Sequence, residues 1–407
     1  MKLWQQVLIG LILGIIAGIV LGEKAAGLKI FGTVFINLIK MIIVPLIFFA
    51  LLSGITSMHG QGNFTRVSLK GFSAYILTAI FAVLIGLSAG IIFHPGSGVD
   101  LHAILDTTAQ PILAAKTPPS ISEFLLNLIP TNPINAMAND NFLQIIIFSI
   151  FTGVVINLLG DKSKPLKEVI FSASQVFFKM IEIIIKLAPL GVFGFISWVI
   201  GTQGMDILTA LAKLIIAVLA ACAFQYVVFG VMILVFARMS PLPFYRKILL
   251  TQSIAFATSS SKATLSTAMN QLQERMGVSK TNSNFLMPLG VCINMDGTAI
   301  YLGICALFFA QAYGIDLTTH NYMMLVLTCT LGSIGAAGIP SGSIIFMGMV
   351  LSSVGLPIEG IGIILGVDRI LDMVRTTINI TGDSAITLIV DKTEGALDEK
   401  IYHSKKR

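Results

Sequence analysis

Charge is scarce in this 407-residue sequence: 11% of its residues are Asp, Glu, Lys or Arg, against 55% hydrophobic. Ordinary soluble domains carry about 25% charged residues, so a solvated surface of normal extent is excluded. Cysteine is scarce too, with four residues in all. Cys222, Cys292, Cys305 and Cys329 lie in apolar sequence without paired spacing, which indicates neither a disulfide framework nor a zinc site. The five histidines, His59, His94, His102, His320 and His403, fall in loops or at span ends. Serines at membrane depth therefore lack an imidazole to activate them, and Arg375 opposes an aspartyl dyad, so an intramembrane enzyme is disfavoured.

What the chain has is apolar length, with a mean hydropathy of +0.90. A spanning helix needs roughly 20 mostly apolar residues, and such stretches recur at 4–22, 30–55, 71–94, 142–159, 168–200, 206–237, 284–312 and 360–391. The fold class expected is an all-α polytopic membrane protein of about eight transmembrane helices. The first run ends in Gly22-Glu23-Lys24 rather than a small-residue cleavage site, so it reads as a span and not a signal peptide. The net charge of +6 does not call for nucleic acid, because the basic residues sit in short loops and at the ends. Lys2, Arg66, Lys70, Lys162, Lys164, Lys167, Arg238, Arg246, Lys247, Lys405, Lys406 and Arg407 fall on one side, against Lys24, Lys29 and Lys116. The positive-inside rule then puts both termini in the cytoplasm.

A long Pro- and Asn-rich connection over 94–141 reads as an extracytoplasmic crossover. The stretch 161–200 is longer than a bilayer requires and carries Lys179, Glu182 and Lys186. It either tilts or meets another subunit, or simply bears charges at its edge. Two further segments, 249–270 and 326–352, are apolar at both ends and polar or small in the middle, at 257–263 and 335–343. Irregular backbone at membrane depth is tolerated only inside protein or along a water-filled cavity, so these read as re-entrant helical hairpins. Each is followed by a helix bearing acids and amides, and interrupted segments in corresponding positions of two repeats point to a transporter's binding site.

The chemistry concentrates in the last apolar stretch. Asp368, Asp372, Arg375, Asn379 and Asp383 step by four, three, four and four, which lines them along one helical face, with Arg369 and Thr376 beside them. Each charge at the bilayer centre costs about 2.5–3.5 kcal/mol on insertion scales, so this face cannot meet lipid. A paired interior seam explains Asp372 with Arg375 but leaves Asn379 and Asp383 surplus. Asn294-Met295-Asp296-Gly297-Thr298 supplies a matching polar break, where Gly297 invites unwinding. Carboxylates, amide oxygens and freed carbonyls make a hard oxygen cage suited to a small cation such as Na+. The Arg375 guanidinium, able to grip two carboxylate oxygens at once, argues for an acidic ligand.

The serine-rich tip at 259–261, the 294–298 break, the Gly-Ile-Pro tip at 338–340 and the 372–383 stretch together resemble the dicarboxylate/amino acid:cation (Na+ or H+) symporter family, over essentially the whole chain. The resemblance implies an elevator-type homotrimer with inverted repeats. Residues 1–70 and 96–200 would form scaffold and trimerisation helices around the crossover. A transport domain would comprise 71–95 and 201–397, with a cytoplasmic tail at 398–407. Substrate contacts would come from Arg375, Asp372, Thr376, Asn379, Thr298, Ser260, Ser261, Ile339 and Ser343. Na+ would be held by Gly290, Asn294, Asn379 and Asp383 at one site. A second would use Cys292, Met295, Ser333, Ile334 and Ala336, and a third Tyr75, Thr78, Asn294 and Asp296. No cofactor is implied, only coupling ions, Na+ or H+. The implied partners are the lipid bilayer of a cell inner membrane and an acidic amino acid, glutamate or aspartate, with a C4-dicarboxylate as the alternative. Ala79 removes an oxygen from the third ion site, and Leu302 replaces a protonatable glutamate of animal relatives. Lys262 sits at a tip position usually filled by serine or an acid. It either supplies a fixed charge near Asp372 or snorkels to water. Met373 and Ser259 lack the second arginine found in other members, a place that Arg369 or Lys262 could take.

Overall fold

The computed structural model describes residues 3–56, 65–99, 101, 126, 129–139, 141–204, 206–335 and 342–404, and among them there is no strand. The first half runs through α1 (Leu3–Leu21), α2 (Lys29–Thr56), α3 (Thr65–Phe93), α4 (Pro133–Ala138), α5 (Phe142–Leu158), α6 (Lys164–Ile185), α7 (Ala188–Gln203) and α8 (Asp206–Met232). The second half continues through α9 (Leu242–Thr258), α10 (Ser261–Asn270), α11 (Lys280–Ile293), α12 (Asp296–Ala312), α13 (Thr319–Gly335), α14 (Gly342–Ser353), α15 (Ile361–Thr393) and α16 (Glu399–His403).

Packing sorts these helices into two groups. In one, α7 lies against α1 and α2, and α2 also packs on α5 and α6. In the other, α15 is the axis, touched by α8, α9, α10, α11 and α12, while α3 lies along α12. Inside each group some helices touch backbone to backbone. A Cβ on Gly10 would collide with the Pro189 carbonyl, and one on Gly86 with that of Ile300. Between the groups, α15 meets α7 through side chains, with Phe195 lying over Gly362.

Several expected spans differ in form. Four stretches of the described residues are long and apolar enough to cross a membrane: Gln5–Thr56, Leu69–Phe93, Ile207–Ala237 and Lys280–Ala312. The expected span 168–200 is instead α6 and α7, bent by 49° between Ile185 and Ala188, and the pair would make a fifth. The 52-residue stretch Gln5–Thr56 contains both of the first two expected spans, linked by a 3-10 segment, Gly22–Leu28. At 17 residues, α5 is short for a crossing, and α15, at 33 residues, is too charged to qualify by composition. It is nevertheless sheathed, since 26 of its residues are buried within the protein.

The expected break at 249–270 is wider than anticipated, running from α9 through α10 into a π-helical turn, Gln271–Arg275. Its tip is built locally. Ser259, at φ 51°, ends α9 in the left-handed region, a conformation uncommon outside glycine. Ser260 then caps α10, its hydroxyl accepting from the Ala263 amide at 3.2 Å. In the second interrupted segment α13 packs along α14. The tip between them, with Ile339 and Ala336, lies outside the described residues.

Candidate functional site

The helix break that the polar 294–298 motif predicts occurs at Asn294 and Met295, whose backbones leave the helical region at φ −103°, ψ 90° and φ −116°, ψ 59°. Gly297 is not where the chain unwinds; it lies in the first turn of α12. Its lack of a Cβ lets the Arg375 backbone carbonyl approach, and its amide donates to Asn379 Oδ1 at 2.7 Å. The break thus docks directly on the polar face of α15.

One half of this centre is a charge-paired knot. Arg375, fully buried, donates through Nη1 to Asp368 Oδ1 at 2.8 Å, and through Nη2 to Asp372 Oδ1 at 2.9 Å and Ser343 Oγ at 2.8 Å. Its guanidinium carbon lies 3.9 Å from the centre of the Tyr301 ring, a cation–π contact. Arg369 Nη1 stands 3.5 Å from Asp372 Oδ2. Two acids and two guanidiniums therefore balance, and Asp372 is shared between the latter.

The other half carries uncompensated negative charge. Asn294 accepts from Thr78 Oγ1 at 3.1 Å and donates to Asp383 Oδ1 at 3.0 Å. Gln225 on α8 donates to Asp296 Oδ2 at 3.3 Å. Asp296 Oδ1 and Asp383 Oδ2 are buried without a hydrogen-bond partner, and neither acid pairs with a basic side chain among the described residues. Around them lie the Tyr75 hydroxyl, which donates to the Leu286 carbonyl at 3.0 Å, and Gly290, where a Cβ would sit 2.8 Å from both Asp383 Oδ1 and Tyr75 OH. A buried carboxylate without a partner is costly, and oxygen donors of this kind suit a proton or a hard cation. Among the described residues no group of three His, Cys, Asp or Glu could hold a metal ion, so donors of the transition-metal type are not gathered here.

The sequence-predicted residues divide accordingly. Arg375, Asp372 and Ser343 meet; Asn379 reaches Met295 Sδ at 3.2 Å and Thr298 Oγ1 at 3.5 Å; Thr376 is buried on the same helix. Tyr75, Thr78, Gly290, Asn294 and Asp383 meet as a second cluster, with Asp296 nearby through Gly382. Ser261 is buried with its hydroxyl unpartnered among the described residues. Ser260 is occupied as the α10 cap. Ser333 donates to the Thr330 carbonyl at 2.7 Å, Ile334 packs near Tyr75, and Cys292 and Ile334 both line a cavity. Sequence reasoning missed Asp368 as the first partner of Arg375, Tyr301 beneath it, and Gln225. The last carried a signal, being a lone amide in the apolar run of α8.

A fold with its acids and guanidiniums turned inward, two paired and two left open, defines a membrane carrier that binds an acidic solute together with cations. Residues 3–393 match the sodium:dicarboxylate symporter family. The chain is 35% identical over 400 residues to a C4-dicarboxylate transport protein of Rhodospirillum rubrum, covering 97% of this chain and 89% of the relative. It is 35% identical to a proton/sodium-glutamate symport protein of Bacillus subtilis (96% and 92% covered), and 34% identical to a C4-dicarboxylate transport protein of the same organism (98% and 96%). The chain belongs to the sodium:dicarboxylate symporter family. It is an integral membrane symporter coupled to Na+ or H+, and not an enzyme.

Proposed function

We propose that the protein takes up an acidic amino acid, aspartate or glutamate, with Na+ as the principal coupling ion. The observation that carries this is the Arg375–Asp372 bond at 2.9 Å, beside Asp368 at 2.8 Å. A ligand offering both a carboxylate and an ammonium exchanges that bond for two new ones. Arg375 keeps Asp368 as counter-ion while it turns to the ligand, and no buried charge is left alone. Thr376, Asn379, Thr298, Ser343 and the tips at Ser260, Ser261 and Ile339 complete the substrate site. The open oxygens of Asp296 and Asp383 take the cations, with Tyr75, Thr78, Gly290, Asn294 and Asn379. Carbonyls of Cys292, Met295, Ser333, Ile334 and Ala336 form a further site.

One contact favours a second reading. Arg369, 3.5 Å from Asp372, can hold that carboxylate when Arg375 turns away, which suits a C4-dicarboxylate without an amino group, as the names of two relatives suggest. Competition separates the two: aspartate or glutamate, and not succinate, displaces bound substrate if Asp372 receives an ammonium. Uptake of labelled aspartate into liposomes under a sodium gradient alone, and then a proton gradient alone, identifies the coupling ion. Uptake driven only by protons overturns the sodium assignment.

For movement, we assign α1, α2, α5, α6 and α7 to a fixed scaffold and α3 with α8–α15 to a sliding transport domain. The backbone-close packing within each group supports this. The helices α9–α10 and α13–α14 are read as re-entrant hairpins within about eight membrane crossings. The protein is assigned to a cell inner membrane as a homotrimer with both termini cytoplasmic. The charge distribution supports the orientation, and the exposed apolar face of α6, with Phe171, Val176 and Ile183, supports a subunit contact.

A further inference from the structure

A cavity of about 490 Å³ lies between the two helix groups, within the roughly 300–1,000 Å³ of pockets that enclose a small molecule. Ile150 and Val154 of α5 and Phe171 and Phe178 of α6 form one side; Phe72 of α3 and Lys262 of α10 face them. The lining is mostly apolar, with Ser53, Ser174 and Gln175 as its uncharged polar residues. Phe72, Val154 and Phe171 are 41%, 46% and 58% exposed, so the cavity opens at the surface of the chain beside them.

Lys262 is its only charged lining residue. The Nζ lies 4.8 Å from the Phe178 ring centre, and no carboxylate among the described residues pairs with it. An ammonium in apolar surroundings is costly without a counter-ion, and the described residues offer it none. The combination of an apolar body, an open mouth and one cation selects an amphiphile with a single anionic head. A two-chain phospholipid is disfavoured, because bringing its phosphate to Lys262 would drag the glycerol backbone into the same enclosed volume.

We propose that this cavity binds a free long-chain fatty carboxylate, with its head on Lys262 Nζ and its chain along Phe72, Ile150 and Phe171. The cavity borders the proposed transport machinery, since Cys292 and Ile334 line it as well. Its occupant touches helices of both groups and resists any displacement of one past the other.

Native mass spectrometry of the detergent-purified full chain, titrated with oleate, tests it. One oleate per chain is expected. Lys262→Gln weakens its binding at least tenfold, Lys262→Arg by less than threefold, and Ile150→Trp, which fills the cavity, removes it. If Lys262→Gln does not fold, the Ile150→Trp comparison decides. Overturning results are no saturable binding, unchanged binding in the cavity-filled variant, competition by oleyl alcohol as strong as by oleate, or equal competition by phosphatidylglycerol, which would make the occupant a phospholipid.

Discussion

The first and the last long helices of this protein invert each other. Without a single charged residue, α1 exposes Ile9, Ile12, Leu13, Ile16, Ile19 and Val20. Carrying four acids and two arginines between Asp368 and Asp391, α15 is almost entirely enclosed. In lipid the apolar helix can stand at the perimeter, whereas a charged one survives only where other protein supplies its partners. Hydrophobicity therefore marks the outside here, and polarity marks the working interior.

The strongest way to break this contrast is to unbalance α15. Arg375→Ala leaves Asp368 and Asp372 buried without their shared cation, a loss of about 3–5 kcal/mol by analogy with broken buried pairs. Uptake of acidic substrate should fall more than a hundredfold. Arg375→Lys should rescue little, because one ammonium cannot reproduce three bonds from two nitrogens. Near-normal transport by either variant would remove Arg375 from the substrate site.

Asp383→Asn addresses the unpaired half. It keeps the size of the side chain and removes the charge, so the sodium concentration for half-maximal uptake should rise about tenfold or more, since one lost charge–ion contact exceeds about 1.4 kcal/mol. An unchanged sodium response would place the ion elsewhere. Gly290→Ala should act in the same direction but less, by crowding Asp383 and Tyr75. Its control is Gly27→Ala, where a Cβ meets nothing within 4 Å and uptake should be unaltered.

The smallest effect is expected at the end of α15. Glu394 is bonded to Lys70 and stands 3.4 Å from Arg66. The Lys70 contact holds its carboxyl below the usual value of 4.5. A carboxylate depressed in the folded state contributes its stability above the unfolded value and loses it as pH falls through the folded one. Thermal melts of wild type and Glu394→Gln should thus differ slightly near neutrality and converge as the pH falls through the lowered folded-state value. A gap that persists in acid would refute the ion pair as its source.

Much of the polar centre was legible because its spacing is local. The four- and three-residue steps from Asp368 to Asp383 need only one helix to become a stripe, and the 294–298 motif broke its helix within three residues of the expected place. What was not legible is relational. That Asp368 rather than Asp372 alone neutralises Arg375, that Tyr301 lies under the guanidinium, and that Gln225 reaches Asp296 all depend on how separate helices dock. The bend between α6 and α7 was missed although the sequence marks it: Lys186 interrupts the apolar run there, and Pro189, in the first turn of α7, is a residue that starts helices rather than continuing them.

The glycine contacts at Gly10 and Gly86 carry one more implication. Where main chain rests on main chain, no side chain is available to shrink or rotate, so a single added methyl has nowhere to go. Tolerance to substitution should therefore be uneven within one seam, lowest at Gly10 and Gly86 and higher at Gly303 of α12, where the nearest atom to an added Cβ is 3.3 Å away, and random mutagenesis should map these main-chain contacts without any measurement of motion.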